Sequence, residues 1–188
     1  MWISKAAASL IAASLCVALL AMPLSAPVWA DDAEDAAIEA ARIAVQLEHF
    51  IKTGRCVNCD LTKAKIGAAH LSGARLTGAD LEGADLSGAD LRHAELAKTK
   101  LSGANLSGAN LEGANLTGAD LSEANLRGAN LRGADLTGSD LSAAKLDGAD
   151  FWGAEIRRAD LTKLKVENTL GITEAEVGSS GKVSIFDR

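Results

Sequence analysis

From Leu61 to Val166 a large apolar residue returns at every fifth position without one insertion. The series begins Leu61, Ile66, Leu71, Leu76 and closes at Phe151, Ile156, Leu161 and Val166, and all 22 of these central sites are apolar. Two residues before each stands a small one, Ala at 18 of the 22, with Cys59, Thr99, Ser139 and Leu164 as the departures. The unit reads A-(D/N)-L-(S/T/R/E)-G. No single helix or strand accommodates this period. On an α-helix successive Leu would advance by about 140° and line no face, and in a strand an odd period sends alternate Leu to opposite faces. What remains is a chain that turns a corner in every unit, so that the central residue and its small neighbour both point inward. The Gly that usually follows at plus two suits such a corner, because it enters positive φ without a Cβ clash. Regular self-similarity of this kind reads as a solenoid.

The runs Ala79-Asp80-Leu81-Glu82-Gly83, Ala104-Asn105-Leu106-Ser107-Gly108 and Ala134-Asp135-Leu136-Thr137-Gly138 resemble the pentapeptide-repeat family. The resemblance covers residues 59–168, 110 of 188. It implies an all-β solenoid, a right-handed quadrilateral β-helix with four units in each coil. This segment would make about five and a half coils, roughly 25 Å long at ordinary strand spacing. Cys56-Val57-Asn58-Cys59-Asp60-Leu61 is similar to a lead-in found among exported and thylakoid-lumen members.

Met1 to Ala30 reads as a signal peptide: Lys5, an apolar run from Ala6 to Ala21, breaks at Pro23 and Pro27, and Val28-Trp29-Ala30 before Asp31. Cleavage is expected after Ala30. Cys16 does not make a lipobox, because Leu15 before it is too bulky. Residues 31–55 are expected to form an N-terminal capping helix over Asp31 to Thr53. Its start is acidic, its end carries Lys52 and Arg55, and Ala36, Ala40, Ile43, Leu47 and Phe50 form one stripe stopped by Gly54. An open coil end exposes core and unpaired backbone, so it needs such a cover. Residues 56–168 are the β-helix, with loosening expected at Leu164, the one bulky residue in a small inward slot. Residues 169–188 form a C-terminal cap and tail: Thr173 with Glu176 makes a capping box, and Lys182 to Arg188 is either an added strand or a frayed end.

Cys56 and Cys59 both fall on inward sites of the first coil. They read as a structural pair, bonded or free, and as a candidate disulfide in an exported protein. Redox or metal chemistry is the minor alternative: the pair follows a helix rather than opening one, and His70 and His93 lack ligand spacing to it. Residues 20 apart should stack, so the column Ser72, Arg92, Glu112, Arg132, Trp152 is expected to pair Arg92 with Glu112 and Glu112 with Arg132, and to lay Arg132 against the Trp152 ring. Arg92, Glu112, Arg132 and Trp152 are the candidate interaction patch. Asp120, Asp140 and Asp160 also align, but one column of acids offers too few oxygens for a cation site.

Nothing in the chain resembles a catalytic constellation or a phosphate-cradling loop, so no catalytic, cofactor or metal residues are assigned. The formal net charge is −6, and removal of the leader with its single Lys5 makes it −7. Such a charge carries no footprint for nucleic acid or anionic lipid. The expected function is an exported, non-enzymatic structural or protein-interaction rod in a periplasm or thylakoid lumen. Its protein partner is unknown, it has no membrane association after leader removal, and self-association through a coil end is left open. The alternative is a DNA mimic that protects DNA gyrase, as some family members do. Against it, residues 59–168 carry 16 acids and 13 bases, a net of −3, and the leader sends the chain away from gyrase. An ice-binding Thr array is disfavoured, because Ala97 and Arg157 interrupt the Thr77, Thr117, Thr137 column.

Overall fold

A computed structural model describes residues 31–164 and 169–171, the side chains of 31–37 and 39 excepted. The expected leader with its Ala30 site, Val166, and the Thr173–Glu176 and Lys182–Arg188 segments lie outside the described residues. Helix α1 spans Asp31–Thr53. It ends where Gly54 takes φ of 66° and its N–H returns to Phe50 O at 2.7 Å, the left-handed stop that glycine provides without a Cβ penalty.

After α1 the chain winds with a coil of twenty residues. Arg55 pairs in parallel with Arg75, Asp60 with Asp80, Lys65 with Asp85 and His70 with Asp90, and the four ladders continue through Asp140↔Asp160 and Asp150↔Leu170. Each rung is a single residue wide. The backbone bonds run from coil to coil: Leu81 N–H donates to Lys100 O at 2.8 Å, and Lys100 N–H donates to Ala79 O at 3.0 Å. The corners follow from the five-residue unit. In each, the N–H of the small residue donates back to the C=O of the central residue three positions earlier, as Ala104 does to Leu101 at 3.0 Å. The plus-two residue takes positive φ, as the third position of a type II turn requires. Gly108 does so at 65°, and so do Lys98 at 57° and Glu123 at 59°. The corner therefore sets the φ, and glycine adopts it at least cost.

Every central Leu from Leu76 to Leu146 is fully buried, as are Ala79, Ala104 and Ala134 at the small site. Alternating large and small inward residues fill the narrow interior. Thr99 and Ser139 are buried at two of the small sites, and Thr169 occupies another on the last described rung. The turn bond at Leu164 is the longest of its kind, 3.4 Å, where a bulky side chain stands in the small slot. Pairing nevertheless resumes in register at Leu170, two residues past the expected end of the repeat at Asn168. Gly171 then presses on the preceding coil: a Cβ there would come within 2.7 Å of Phe151 C.

Helix α1 packs on the first coil through its last two turns. Leu47 and Phe50 join the core that holds Cys56 and Leu61, and Ile51 packs at its edge. Ile43 is half-buried and Ala40 is exposed, so the expected stripe is covered only toward its C-terminal end. The first coil has no coil beneath it to accept its amides, and α1 supplies part of the lack. Asp60 N–H donates to Gln46 Oε1 at 2.7 Å, Arg55 N–H to Thr53 Oγ1 at 3.2 Å, and Arg42 pairs with the Asp60 carboxylate at 2.6 Å.

Candidate functional site

The outward surface is built from the residues on either side of each central site. The minus-one residue, Asp or Asn in most units, is tied to its own corner. Asp135 Oδ1 accepts Thr137 N–H at 2.9 Å, Asp120 Oδ1 accepts Ser122 N–H at 3.0 Å, and Asn115 Oδ1 accepts Thr117 N–H at 3.0 Å. This is the Asx turn, in which a short polar side chain reproduces a backbone acceptor. Along two faces the amides also bond from coil to coil: Asn125 Nδ2 donates to Asn105 Oδ1 at 3.0 Å, and Asn130 Nδ2 to Asn110 Oδ1 at 3.1 Å. Sequence reasoning treated these acids as solvated surface and missed their part in the turn. The signal was present, since Asp or Asn stands two residues before a polar residue in nearly every unit.

Ser72, Arg92, Glu112, Arg132 and Trp152 are all exposed on one face, as the twenty-residue stacking requires. Their pairing differs from the expectation. Arg92 turns back to Asp90 on its own coil, with Nη2 at 2.7 Å from Oδ2 and Nε at 2.8 Å from Oδ1. The guanidinium's hydrogen bond is the main cause that holds the Asp90 carboxyl below its ordinary range, and Arg92 is raised in return. Arg132 reaches Asp150 Oδ2 at 3.1 Å and does not lie over the Trp152 ring. The reason is local. A minus-one carboxylate already fixed by its Asx turn is a preorganised acceptor with a full charge, and it outcompetes both a mobile Glu112 and a ring face. Trp152 remains 67% exposed, with Leu170 60% exposed on the next coil of that face.

Asp120, Asp140 and Asp160 stand in one ladder, each half-buried. Each spends one oxygen on a turn N–H, that of Ser122, Ser142 or Thr162. Among the described residues no group of three or more His, Cys, Asp or Glu could hold a metal ion. His70 and His93 are exposed, and the His93 ring lies over Gly113, where a Cβ would meet Nδ1 at 2.6 Å. No described helix is long and apolar enough to cross a membrane.

At the first coil, Cys56 and Cys59 are joined as a disulfide with their Cα atoms 5.4 Å apart. They occupy the first and fourth positions of a corner. At every described corner from Leu61–Ala64 to Leu161–Leu164 those positions are joined by a backbone hydrogen bond; at Cys56–Cys59 the disulfide closes the corner instead. Cys56 is buried and Cys59 half-buried. Both line a recess of about 490 Å³ together with Val45, Gln46, His49, Arg55 and Val57. Val45 and Val57 are 69% and 51% exposed at its rim. The recess escaped sequence reasoning because Val45 lies off the Leu47–Phe50 stripe and Val57 is a turn residue.

These features define a class first: a parallel β-solenoid of five-residue corners with a helix packed on its first coil. The pentapeptide repeats pattern matches in eight copies over residues 55–92, 69–108, 94–133, 124–162 and 134–170. The chain belongs to the pentapeptide-repeat family, whose right-handed quadrilateral β-helix the four ladders reproduce. Among solved structures it is similar to a pentapeptide repeat protein from the cyanobacterium Cyanothece 51142, at 27% identity over 68% of this chain and 98% of that one, with a TM-score of 0.41. A pentapeptide repeat protein from Nostoc PCC 7120 is 33% identical over 68% of this chain and 93% of that one, with a TM-score of 0.30. Another, from the Arabidopsis thaliana thylakoid lumen, is 28% identical over 61% and 70%, with a TM-score of 0.22. None of the curated proteins compared with it matches the sequence.

Proposed function

We propose that this protein is an exported, non-enzymatic rod of about five and a half coils, closed at its first coil by α1, that docks another protein on its flat faces. The observation that carries the reading is the fixed spacing of outward side chains. Residues one coil apart are locked to each other, by Arg75 to Glu95, Lys100 to Asp80 and Arg127 to Asp147 ion pairs and by the Asn ladders. Side chains already ordered in the free protein lose little entropy when a partner binds. Trp152 and Leu170, exposed beside the Arg132–Asp150 pair, give one face an apolar centre with a charged rim, the composition of a protein-binding patch. Corners of five residues leave little chain from which to build a deep pocket, and the Met1–Ala30 leader supports export.

The test is fractionation of the native host with N-terminal sequencing, combined with photo-crosslinking from position 152 in the exported fraction. A chain beginning at Asp31 in the periplasm or lumen, crosslinked saturably to one exported protein and released by Trp152→Glu, is the expected result. An uncleaved cytoplasmic chain would overturn the assignment and make gyrase protection the next assay.

A further inference from the structure

We propose that Cys56–Cys59 is a thiol–disulfide exchange site for a dithiol protein that docks in the recess beside α1. The inference does not depend on the docking reading above. Three features of the first coil carry it. The disulfide stands in the wall of an open recess, with Cys59 Sγ the less buried sulfur. The rim offers two exposed apolar side chains, Val45 from α1 and Val57 from the corner, a small platform of the kind an extended chain carrying a thiol can lie on. Arg55 and His49 line the same space, and a cation beside a cysteine favours its thiolate, both as attacking and as leaving group.

The exchange balances as follows. A partner thiolate attacks Cys59 Sγ, the Cys56–Cys59 bond breaks, and Cys56 leaves as a thiolate beside Arg55. The partner's second thiolate then attacks the partner sulfur of the mixed disulfide and releases Cys59. Two electrons pass from the dithiol to the pair, the partner gains a disulfide, and Cys56 and Cys59 take up two protons. The consequence is mechanical. The first corner has no backbone hydrogen bond to hold it once the disulfide opens, and Asp60, the next residue, is the contact of both Arg42 and Gln46 on α1. Reduction therefore loosens the seat of the helix on the first coil.

The experiment uses the full chain, with reduced thioredoxin as the dithiol protein and dithiothreitol as the small-molecule control. Thiols are counted by alkylation and mass spectrometry above the baseline from Cys16. The expected result is two new thiols in native buffer with either reductant. A Val45→Asp, Val57→Asp variant should slow the thioredoxin reaction by about tenfold, the effect of losing one interface anchor, and leave the dithiothreitol rate within about twofold. Trypsin should cut at Arg42 faster in the reduced protein. Reduction only in denaturant, equal loss of both rates in the variant, or an unchanged cleavage rate at Arg42 would each overturn the proposal.

Discussion

Thr99 and Ser139 occupy the same inward slot two coils apart, with Ala119 between them, and their hydroxyls meet different fates. Thr99 Oγ1 lies 2.7 Å from Leu96 O and 3.0 Å from Leu76 O, whereas Ser139 Oγ is buried with no hydrogen-bond partner. Replacement by Ala, the residue of most other slots, should therefore act with opposite sign. Thr99→Ala loses one hydrogen bond, about 1 kcal/mol, and one buried methyl, about 0.8 kcal/mol. Both carbonyls still accept the turn N–H groups of Thr99 and Ala79, so no buried acceptor is orphaned. The net loss is about 2 kcal/mol. Ser139→Ala removes a buried donor that nothing satisfies and should gain about 1 kcal/mol. With a urea slope of about 2 kcal/mol/M, the midpoints move down by about 1 M for Thr99→Ala and up by about 0.5 M for Ser139→Ala. Urea unfolding followed by far-UV circular dichroism measures both. A loss of stability in Ser139→Ala comparable to that in Thr99→Ala would refute the reasoning, because it would mean that the Ser139 hydroxyl has a partner.

Gly171→Ala should free the last rung, since its Cβ would strike the Phe151–Trp152 backbone; hydrogen exchange at the Phe151 and Leu170 amides is expected to rise at least about tenfold. Gly108→Ala meets nothing within 4 Å, and its cost should stay near the about 1 kcal/mol of a left-handed residue. Asp85, Asp90, Asp135 and Asp150 titrate below the ordinary Asp value, held there chiefly by the Ser87 hydroxyl, the Arg92 guanidinium, the Thr137 hydroxyl and the Trp152 N–H respectively. Groups lowered in the folded state contribute stability above the unfolded Asp value of about 4 and lose it as pH falls through their folded values. The urea midpoint should therefore be flat from about pH 6 to 5 and drop toward pH 3, and a midpoint unchanged at pH 3 would contradict these bonds. Arg132→Ala should leave Trp152 fluorescence unchanged and cost under about 1 kcal/mol, because the lost contact is an exposed pair with Asp150.

The period of five carried the coil, the inward columns and the helix over Asp31–Thr53, because each follows from which residues must be hidden. Outward chemistry was less legible. Stacking correctly placed Arg132 one coil from Trp152, but where a long side chain goes depends on the best acceptor in reach, and Asp150 was that acceptor. The plus-two corners at Lys98 and Glu123 show the limit of reading turns from glycine alone: the fold imposes positive φ on any residue there. Cys56 and Cys59 were placed on inward sites, yet their role as the covalent closure of the first corner needed the hydrogen-bond pattern of all the others. The recess beside them depends on how α1 lies across the coil, which no periodicity specifies.

The coil of twenty residues underlies every column, pair and patch described, and engineered cysteines at 102 and 122 test it most directly. Ser122 Oγ and Ser102 Oγ are 3.2 Å apart on adjacent coils, and neighbouring strands lie about 4.8 Å apart, inside the span a disulfide can bridge. Ser102→Cys with Ser122→Cys should crosslink intramolecularly under mild oxidation, identified by peptide mapping, whereas Ser107→Cys with Ser122→Cys, a pair on different faces, should not. Crosslinking of the second pair and not the first would contradict the coil.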